Sequence, residues 1–479
     1  MVSVPDPRPS GGVTRRIERM TTKTNMETFV SLSKRRGFVF QSSEIYGGIG
    51  GFWDYGPLGV EMKNNIKRSW WRYMVQERDD VVGIETSIIM NPRVWEASGH
   101  VGTFADPMVD CKSCKHRFRT DDLTQAGKLP DDKGPDGQAT IKCPDCGGEL
   151  TESRMFNLMF QTYVGPVQDD ASVAYLRPET AQGMFVNFDN VLTTMRRKLP
   201  FGIAQIGRSF RNEITPGNFI FRDREFEQME MEYFVIPGED EKAHDEWIDA
   251  RMRWWTDVLG VRKENLQIRE HSKEELSHYS KRTVDIEYDF PFGGFSEIEG
   301  IANRTDFDLQ AHTKVSGKKL EYYDQENDKH IVPYVIEPAM GIDRCFLTTM
   351  IDSYAEEEVK GPDGRSDKRT VLRLAPQIAP IKVAILPLSR NEQLVPPARK
   401  VWDMLRTHFM TQYDDAQAIG RRYRRQDEIG TPLCVTIDFD TLEDQAVTIR
   451  ERDEMTQIRV PIANLAETLR EKLPGCYTG

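Results

Sequence analysis

The chain has no run of the roughly 18 apolar residues that a membrane-spanning helix needs, and its opening residues carry no signal-peptide pattern. Both absences lead us to expect a cytoplasmic protein with no membrane partner. Positive charge is not in excess. Lys and Arg total 64 against 76 Asp and Glu, a net charge of −12. That balance argues against non-specific affinity for nucleic acid and leaves any such contact to local basic patches. Cysteine is scarce, seven in 479 residues. Four of the seven form two CxxC pairs, which suits a reducing compartment and a metal better than disulfides.

The rest of the composition is that of a globular protein, 38% hydrophobic and 29% charged. The length predicts two or three domains. Residues 1–25 carry Pro5, Pro7, Pro9, Gly11 and Gly12 and read as a disordered tail. A catalytic domain is expected over 26–375 and a smaller domain over 380–479.

The most charged patterned stretch is 201–234 (FGIAQIGRSFRNEITPGNFIFRDREFEQMEMEYF). It reads as two strands joined by a turn at Ile214, Thr215, Pro216, Gly217 and Asn218. Arg211, Glu213, Arg222, Arg224, Glu230 and Glu232 alternate along it, which places them on one sheet face. Such a face is costly without a charged ligand. The arginines suit a polyphosphate, and the carboxylates suit an ammonium group or a metal. The other reading is an amphipathic hairpin with a solvated face.

Cys111-x-x-Cys114 and Cys143-x-x-Cys146 can each present two thiolates from one knuckle, and two knuckles complete a tetrahedral Zn²⁺ shell. The polar stretch between them cannot build its own core, so the ion would supply folding energy. Four thiolates leave no open position, which makes the site structural. The alternatives are a decayed ribbon or a redox pair. His100 and His116 read as solvent-facing.

Elsewhere, the glycines at 47–51 mark a close backbone approach. A helix from Pro57 to about Glu77 and a strand over 82–90 precede Pro92. Residues 236–283 read as a helical insertion over 244–259 and 273–281. Residues 355–370 read as an exposed loop. A strand at 381–387, a helix at 391–411, strands at 433–437, 446–450 and 457–461 and a helix at 462–473 predict a compact α/β domain. Arg421, Arg422, Tyr423, Arg424 and Arg425 form a basic stretch with an embedded aromatic, suited to RNA, or equally a solvated helix face.

Three stretches resemble the class II aminoacyl-tRNA synthetases: RPETAQG (177–183), FRNEITPGNFIFRDREFEQMEMEYF (210–234) and VIEPAMGIDR (335–344). Within that class the resemblance is to the α2-type glycyl enzymes, over roughly residues 27–476. It implies an α+β fold: an antiparallel-sheet catalytic domain with a zinc-ribbon-like insertion (98–155), then an α/β anticodon-binding domain. Motif 1 (56–93), motif 2 (201–234) and motif 3 (331–354) follow in order. The resemblance implies a homodimer that condenses glycine with ATP, with Mg²⁺, and transfers glycyl to the 3′ end of tRNA(Gly).

Carried over by motif, Arg211 and Arg344 are catalytic. ATP contacts are Arg211, Asn212, Glu213, Phe221, Arg222, Asp223, Arg224, Glu225, Phe226, Glu297, Ile298, Gly341, Ile342, Asp343 and Arg344. Glu297 is the Mg²⁺ candidate. Glycine contacts are Arg119, Glu179, Phe226, Glu227, Gln228, Met229, Glu230, Glu337, Pro338, Ala339, Met340 and Gly341. Glu179, Glu230 and Glu337 could cage an ammonium group and exclude larger side chains; each could instead be a structural ion pair. Ala339 departs from the serine common at that place in relatives, which leaves the details of glycine binding open. The alternative class is a non-catalytic relative that binds nucleic acid, such as a polymerase accessory subunit. The retention of Arg211, Glu213, Phe226 and Arg344 argues against it.

Overall fold

A computed structural model describes residues 17–20, 25–120, 123, 142–277, 279–360 and 366–476. The chain divides into two compact units, 30–352 on one side and 1–29 with 353–479 on the other.

The first unit is built on a seven-stranded sheet. Its order is Leu266–Glu270, Arg282–Phe290, Gly294–Thr305, Tyr334–Gly341, Glu225–Val235, Phe201–Phe210 and Val81–Gly83. All neighbours pair antiparallel except the last two, which run parallel. One apolar cluster joins the strand residues Phe201, Ile203, Phe234 and Val335 to Met184, Phe185, Phe188 and Leu309 from flanking helices. Phe201 and Phe234 stack with centroids 5.2 Å apart, and each such buried ring contributes about 1.5–3 kcal/mol.

Several elements depart from expectation. The charged hairpin has strands Phe201–Phe210 and Glu225–Val235, so its connection is far longer than a five-residue turn. Arg211, Glu213, Arg222 and Arg224 therefore sit in the connection, not on the strands. Backbone bonds between Arg211 and Arg224, and between Gly217 and Arg222, brace it. The strand expected over 82–90 is only Val81–Gly83, with an isolated bridge from Ile89 to Leu176. Gly83 lets the Trp71 ring approach; a Cβ there would meet it at 2.2 Å. The helix from Pro57 runs to Trp71 and ends in a wider turn at Arg72–Gln76.

The insertion is helical only in part. Asp240–Arg253 is a helix, and Leu266–Glu270 adds the sheet's edge strand. Residues 271–277 and 279–281 form turns, not the second helix. Trp254 and Trp255 are buried packing residues.

In the other unit, Tyr354–Lys360 and Ser366–Leu372 are paired strands where a loop was expected. Ile17–Met20, inside the expected tail, pairs with 356–359; residues 1–16 and 21–24 lie outside the described residues. A five-stranded sheet has the order Thr411–Tyr413, Val383–Pro387, Leu433–Ile437, Ala446–Glu451 and Gln457–Pro461. Its first two pairings are parallel and its last two antiparallel. The helices Val395–Leu405 and Ile462–Lys472 bury apolar faces on it. The strand at 411–413 was not foreseen; the helix Ile419–Glu428 carries the basic stretch, for which a helix face was one of the two readings.

Candidate active site

One cavity of about 360 Å³ opens on the seven-stranded sheet. Strand alternation decides which residues reach it. On Glu225–Val235, Phe226, Gln228 and Glu230 line it; Met229 points into the core on the opposite face, and Glu227 pairs with Lys63 and Lys67. On Tyr334–Gly341, Glu337, Ala339, Met340 and Gly341 line it, and Pro338 does not.

A bulge decides the third strand. The register between Arg282–Phe290 and Gly294–Thr305 shifts at Ile298, pairing Ile286 with Glu299 but Glu287 with Glu297. Glu297 thereby shares the cavity with Gly300, Ala302 and Arg304. Glu299 faces away and is buried against Arg251 Nε at 2.5 Å and Trp255 Nε1 at 2.7 Å. Ile298 is core.

One end of the cavity is cationic and aromatic. The Arg211 guanidinium lies 5.4 Å from the Phe226 ring and 5.5 Å from Phe104, and its Nε donates to Pro178 O at 3.1 Å. Arg344 stacks 4.4 Å over Phe221 and donates to the carbonyls of Phe221 and Glu297. Its Nη1 is also 3.1 Å from the Glu297 carboxylate. Burial pushes the Glu297 carboxyl up, but Arg344, and then Arg211, hold it below its ordinary value. Arg222 sits 3.7 Å from Glu213, and both line the cavity.

The other end is acidic. Glu230 accepts from Thr180 N at 3.1 Å and from the Thr180 hydroxyl. Glu337 is held by Arg304. Glu230, Glu232 and Glu337 have carboxylate oxygens within 4.8 Å of one another. Burial raises all three, and mutual repulsion adds to it: Glu337 raises both Glu230 and Glu232, and Glu179 raises Glu337. Glu232 is fully buried, and neither of its oxygens has a hydrogen-bond partner among the described residues. Glu179 goes the other way. Burial pushes it up, but His100 and Arg304 hold it well below the carboxylate range. His100, expected in solvent, instead lies 3.4 Å from Glu179 with its other nitrogen 2.8 Å from Ser98 Oγ.

Other expected site residues lie off this cavity. Arg224 holds the carbonyls of Glu213 and Gly50. This is the approach marked by the glycines: Gly51 has φ +76°, and a Cβ there would stand 2.8 Å from Pro216. Glu225 pairs with Arg208, and Arg119 pairs with Asp106 at 3.0 Å. Asn212 and Ile342 do not line the cavity, and Ile342 is core. Asp343 does line it, yet it accepts from Tyr55, Lys63 and Glu227 N, so it ties the motif 3 helix to motifs 1 and 2. Asp223 shares that wall. Burial first, then Asp343, pushes it up to about 9.

Sequence reasoning missed Arg304, His271, Ser277, Tyr279, Thr283 and Asp285, all of which line the cavity. Arg304 lies at the end of the strand Gly294–Thr305 and Asp308 in the first turn of the next helix, so the turn between the two elements, not a helix face, brings them together.

The four cysteines converge. Cys111 Sγ is 3.5 Å from Cys146 Sγ, and Cys114 Sγ is 3.6 Å from Cys143 Sγ. All four sulfurs lie within 4.8 Å of one another. A tetrahedral Zn²⁺ with bonds of about 2.3 Å spaces its sulfurs about 3.8 Å apart, so the residues fit. Gly147 turns the second knuckle at φ +72°, and a Cβ on Gly148 would press Cys111 Sγ at 3.2 Å. His116 is exposed and pairs with Asp145. The polar stretch at 121–122 and 124–141 lies outside the described residues.

The basic stretch at 421–425 is largely engaged within its own unit. Arg422 is buried on the carbonyls of Pro387, Leu388 and Asp414. Tyr423 bonds Thr436, and Arg425 pairs with Asp414 at 2.6 Å. Arg424 lies 3.9 Å from Asp427. Arg421 is exposed.

Comparison with known proteins agrees with this geometry. Residues 163–354 match the family model described as tRNA synthetase class II core domain (G, H, P, S and T), and 382–472 match an anticodon binding domain. A glycine–tRNA ligase of Thermobifida fusca is 60% identical over 456 residues, covering 94% of this chain and 98% of that protein. One of Streptomyces coelicolor is 59% identical over 456 residues, covering 94% and 99%. One of Cutibacterium acnes is 58% identical over 464 residues, covering 95% and 98%. With a class II catalytic sheet, an anticodon-binding unit and relatives this similar over nearly their whole length, the chain belongs to the glycine–tRNA ligase family of class II aminoacyl-tRNA synthetases.

Proposed function

We propose that the protein joins glycine to tRNA(Gly) in two steps. Glycine and ATP give glycyl-adenylate and pyrophosphate, and the glycyl group then passes to the 3′ end of the tRNA. The observation that carries this reading is a single cavity with arginines and aromatics at one end and buried glutamates at the other.

The glycine carboxylate is itself the nucleophile towards the α-phosphate, so no protein nucleophile is needed. Catalysis is positioning and charge stabilisation. Arg211, fixed by Pro178 O and two rings, is placed to hold the α-phosphate. Arg222 and Arg344 serve the outer phosphates. Phe226 stacks under adenine, and Glu213 positions its amino group. Glu297 is the carboxylate that would hold Mg²⁺, an ion that neutralises phosphate charge when bound. At the acidic end, Glu179, Glu230 and Glu337 take the ammonium group. Crowding of these side chains at that end is what would exclude a larger amino acid.

Zn²⁺ on the four cysteines is a folding element of the insertion. In this reading the protein acts as a cytoplasmic homodimer. No helix among the described residues is long and apolar enough to cross a membrane. Of the five-residue basic stretch, exposed Arg421 is the tRNA contact this reading keeps.

The test is ATP–pyrophosphate exchange with glycine, alanine, serine, threonine and proline in turn. Exchange with glycine alone is expected. Exchange with another amino acid would overturn the role of the glutamates, and no exchange from folded protein would overturn the reaction.

A further inference from the structure

The cavity has a wall that the first reaction step does not use. His271, Ser277, Tyr279, Thr283 and Asp285 line it from the edge of the sheet, facing the same space as Arg211 and Glu230. His271 follows the edge strand Leu266–Glu270 directly, and its backbone N–H donates to Thr283 O at 3.0 Å. Its Nε2 is 2.7 Å from Asp285 Oδ2. A carboxylate accepts, so Nε2 carries a proton, and in the neutral ring Nδ1 keeps the lone pair. Nδ1 makes no hydrogen bond among the described residues.

Asp285 is itself fixed. It is buried, and Arg269 Nη2 lies 3.2 Å from its Oδ2 and 3.4 Å from the imidazole. Arg269 is held in turn by Glu287 at 2.8 Å and Glu275 at 3.0 Å. The imidazole keeps 20% of its side-chain surface exposed, so a ligand in the cavity can reach it. A histidine oriented by a buried carboxylate, with its second nitrogen unpaired in a substrate cavity, has the arrangement of a proton acceptor.

The chemistry says which step needs one. Activation does not, because glycine's carboxylate is already ionised. Transfer does, because a ribose hydroxyl must lose its proton as it attacks. Among the described residues, His271 is the one imidazole that lines the cavity.

We propose that His271, oriented by Asp285, is the general base of glycyl transfer to the terminal ribose of the tRNA. The inference rests on the two-step reading above. The ribose oxygen forms a bond to the glycyl carbonyl carbon, and the bond from that carbon to the adenylate oxygen breaks. AMP leaves with the bonding electrons. The hydroxyl proton passes to His271 Nδ1 and from there to solvent. Asp285 is a positioning residue that acts through the ring.

The experiment separates the two half-reactions on full-length protein. Glycine-dependent pyrophosphate exchange reads activation. Single-turnover transfer from preformed enzyme-bound glycyl-adenylate to tRNA(Gly) reads the second step. For His271→Asn we expect transfer to slow about 10²-fold, as for loss of a general base, and at least tenfold more than exchange. Asp285→Asn is expected to slow transfer by a smaller factor with the same bias. Transfer as fast as in the parent, or a parallel fall in both half-reactions for both variants, would overturn the proposal. If His271→Asn does not fold, Asp285→Asn decides alone by the same criterion. Absence of exchange in the parent protein would instead defeat the two-step reading itself.

Discussion

Arg304 Nη1 donates to both carboxylate oxygens of Glu337, at 3.1 and 2.9 Å, while its Nε and Nη2 hold Asp308 at 2.8 and 2.9 Å. One buried guanidinium thus fixes one of the glutamates assigned to glycine, and it stacks 4.0 Å over Tyr279. A lysine has no planar fork and can satisfy only one of these partners well. Arg304→Lys should therefore loosen Glu337 and weaken glycine binding. Losing one charge-assisted bond costs about 1.5–3 kcal/mol, which is roughly a 10- to 100-fold rise in the KM for glycine. The KM for ATP should move much less. Steady-state exchange kinetics check this, and equal rises in both constants would contradict it.

The glutamate cluster makes a prediction about pH. Burial raises Glu230, Glu232 and Glu337 above their unfolded values. A carboxyl with a raised folded value binds more protons folded than unfolded. Its stabilising contribution is complete below the unfolded value of about 4.3 and is lost as pH rises through the folded value. The glycine-free protein should therefore lose stability from weakly acidic to alkaline pH. Glycine's ammonium group favours the ionised carboxylates, so the stabilisation it gives should grow over the same range. Glu232→Gln should flatten the decline, because an amide has no proton to lose. Thermal melts at about pH 6 and about pH 9, with and without glycine, measure all three effects. A decline unchanged by Glu232→Gln would show that this residue does not titrate in the fold.

Part of the fold and of the candidate site was legible in the sequence because local pattern and structure coincided there. The glutamates at 230 and 337 lie on strands whose alternation can be counted, and the CxxC spacing names its own chemistry. The resemblance then ordered the motifs along the chain. What stayed hidden depended on tertiary geometry. The bulge at Ile298 turns Glu297 towards the cavity and Glu299 away from it, and no alternation rule foretells the shift. Arg224 has the same chemistry as Arg211 and sits in the same connection, yet only Arg211 lines the cavity, while Arg224 is engaged with the carbonyls of Glu213 and Gly50. His271 sits in a charged, turn-rich stretch with no periodicity. Its meaning appears only when Asp285 arrives from the neighbouring strand.

The insertion should depend on its metal. Its apolar centre among the described residues is small: Val109, Cys111, Leu123, Cys143 and Leu150. The three-stranded sheet above it is short, with Ala105–Asp110 between Arg117–Arg119 and Arg154–Asn157. A four-thiolate Zn²⁺ site adds folding free energy that such a core lacks. Purified protein should carry about one zinc per chain, as four thiolates complete one shell. Cys143→Ser should lower that stoichiometry and open residues 105–157 to proteolysis. Elemental analysis with limited proteolysis checks both. Full protease resistance without zinc would assign the cysteines another role.

The other unit has its own weak point, Asp427. This fully buried carboxylate lies 2.8 Å from Arg369 Nε and 2.9 Å from Arg450 Nη1. Arg369 also pairs with Glu357 at 3.0 Å, and so ties the hairpin 354–372 to the helix Ile419–Glu428. A buried pair adds little net stability, because the desolvation of both ions offsets their attraction. Breaking it leaves an unmatched charge and costs about 3–5 kcal/mol. Asp427→Asn keeps the shape but leaves Arg450 with no carboxylate within 4.0 Å among the described residues. Replacing both Asp427 and Arg450 with apolar residues of similar volume should restore part of the loss. Denaturant melts of the single and double variants measure this. A double variant less stable than the single one would mean that Arg450 is held mainly by partners other than Asp427, such as the Tyr423 ring 4.8 Å away.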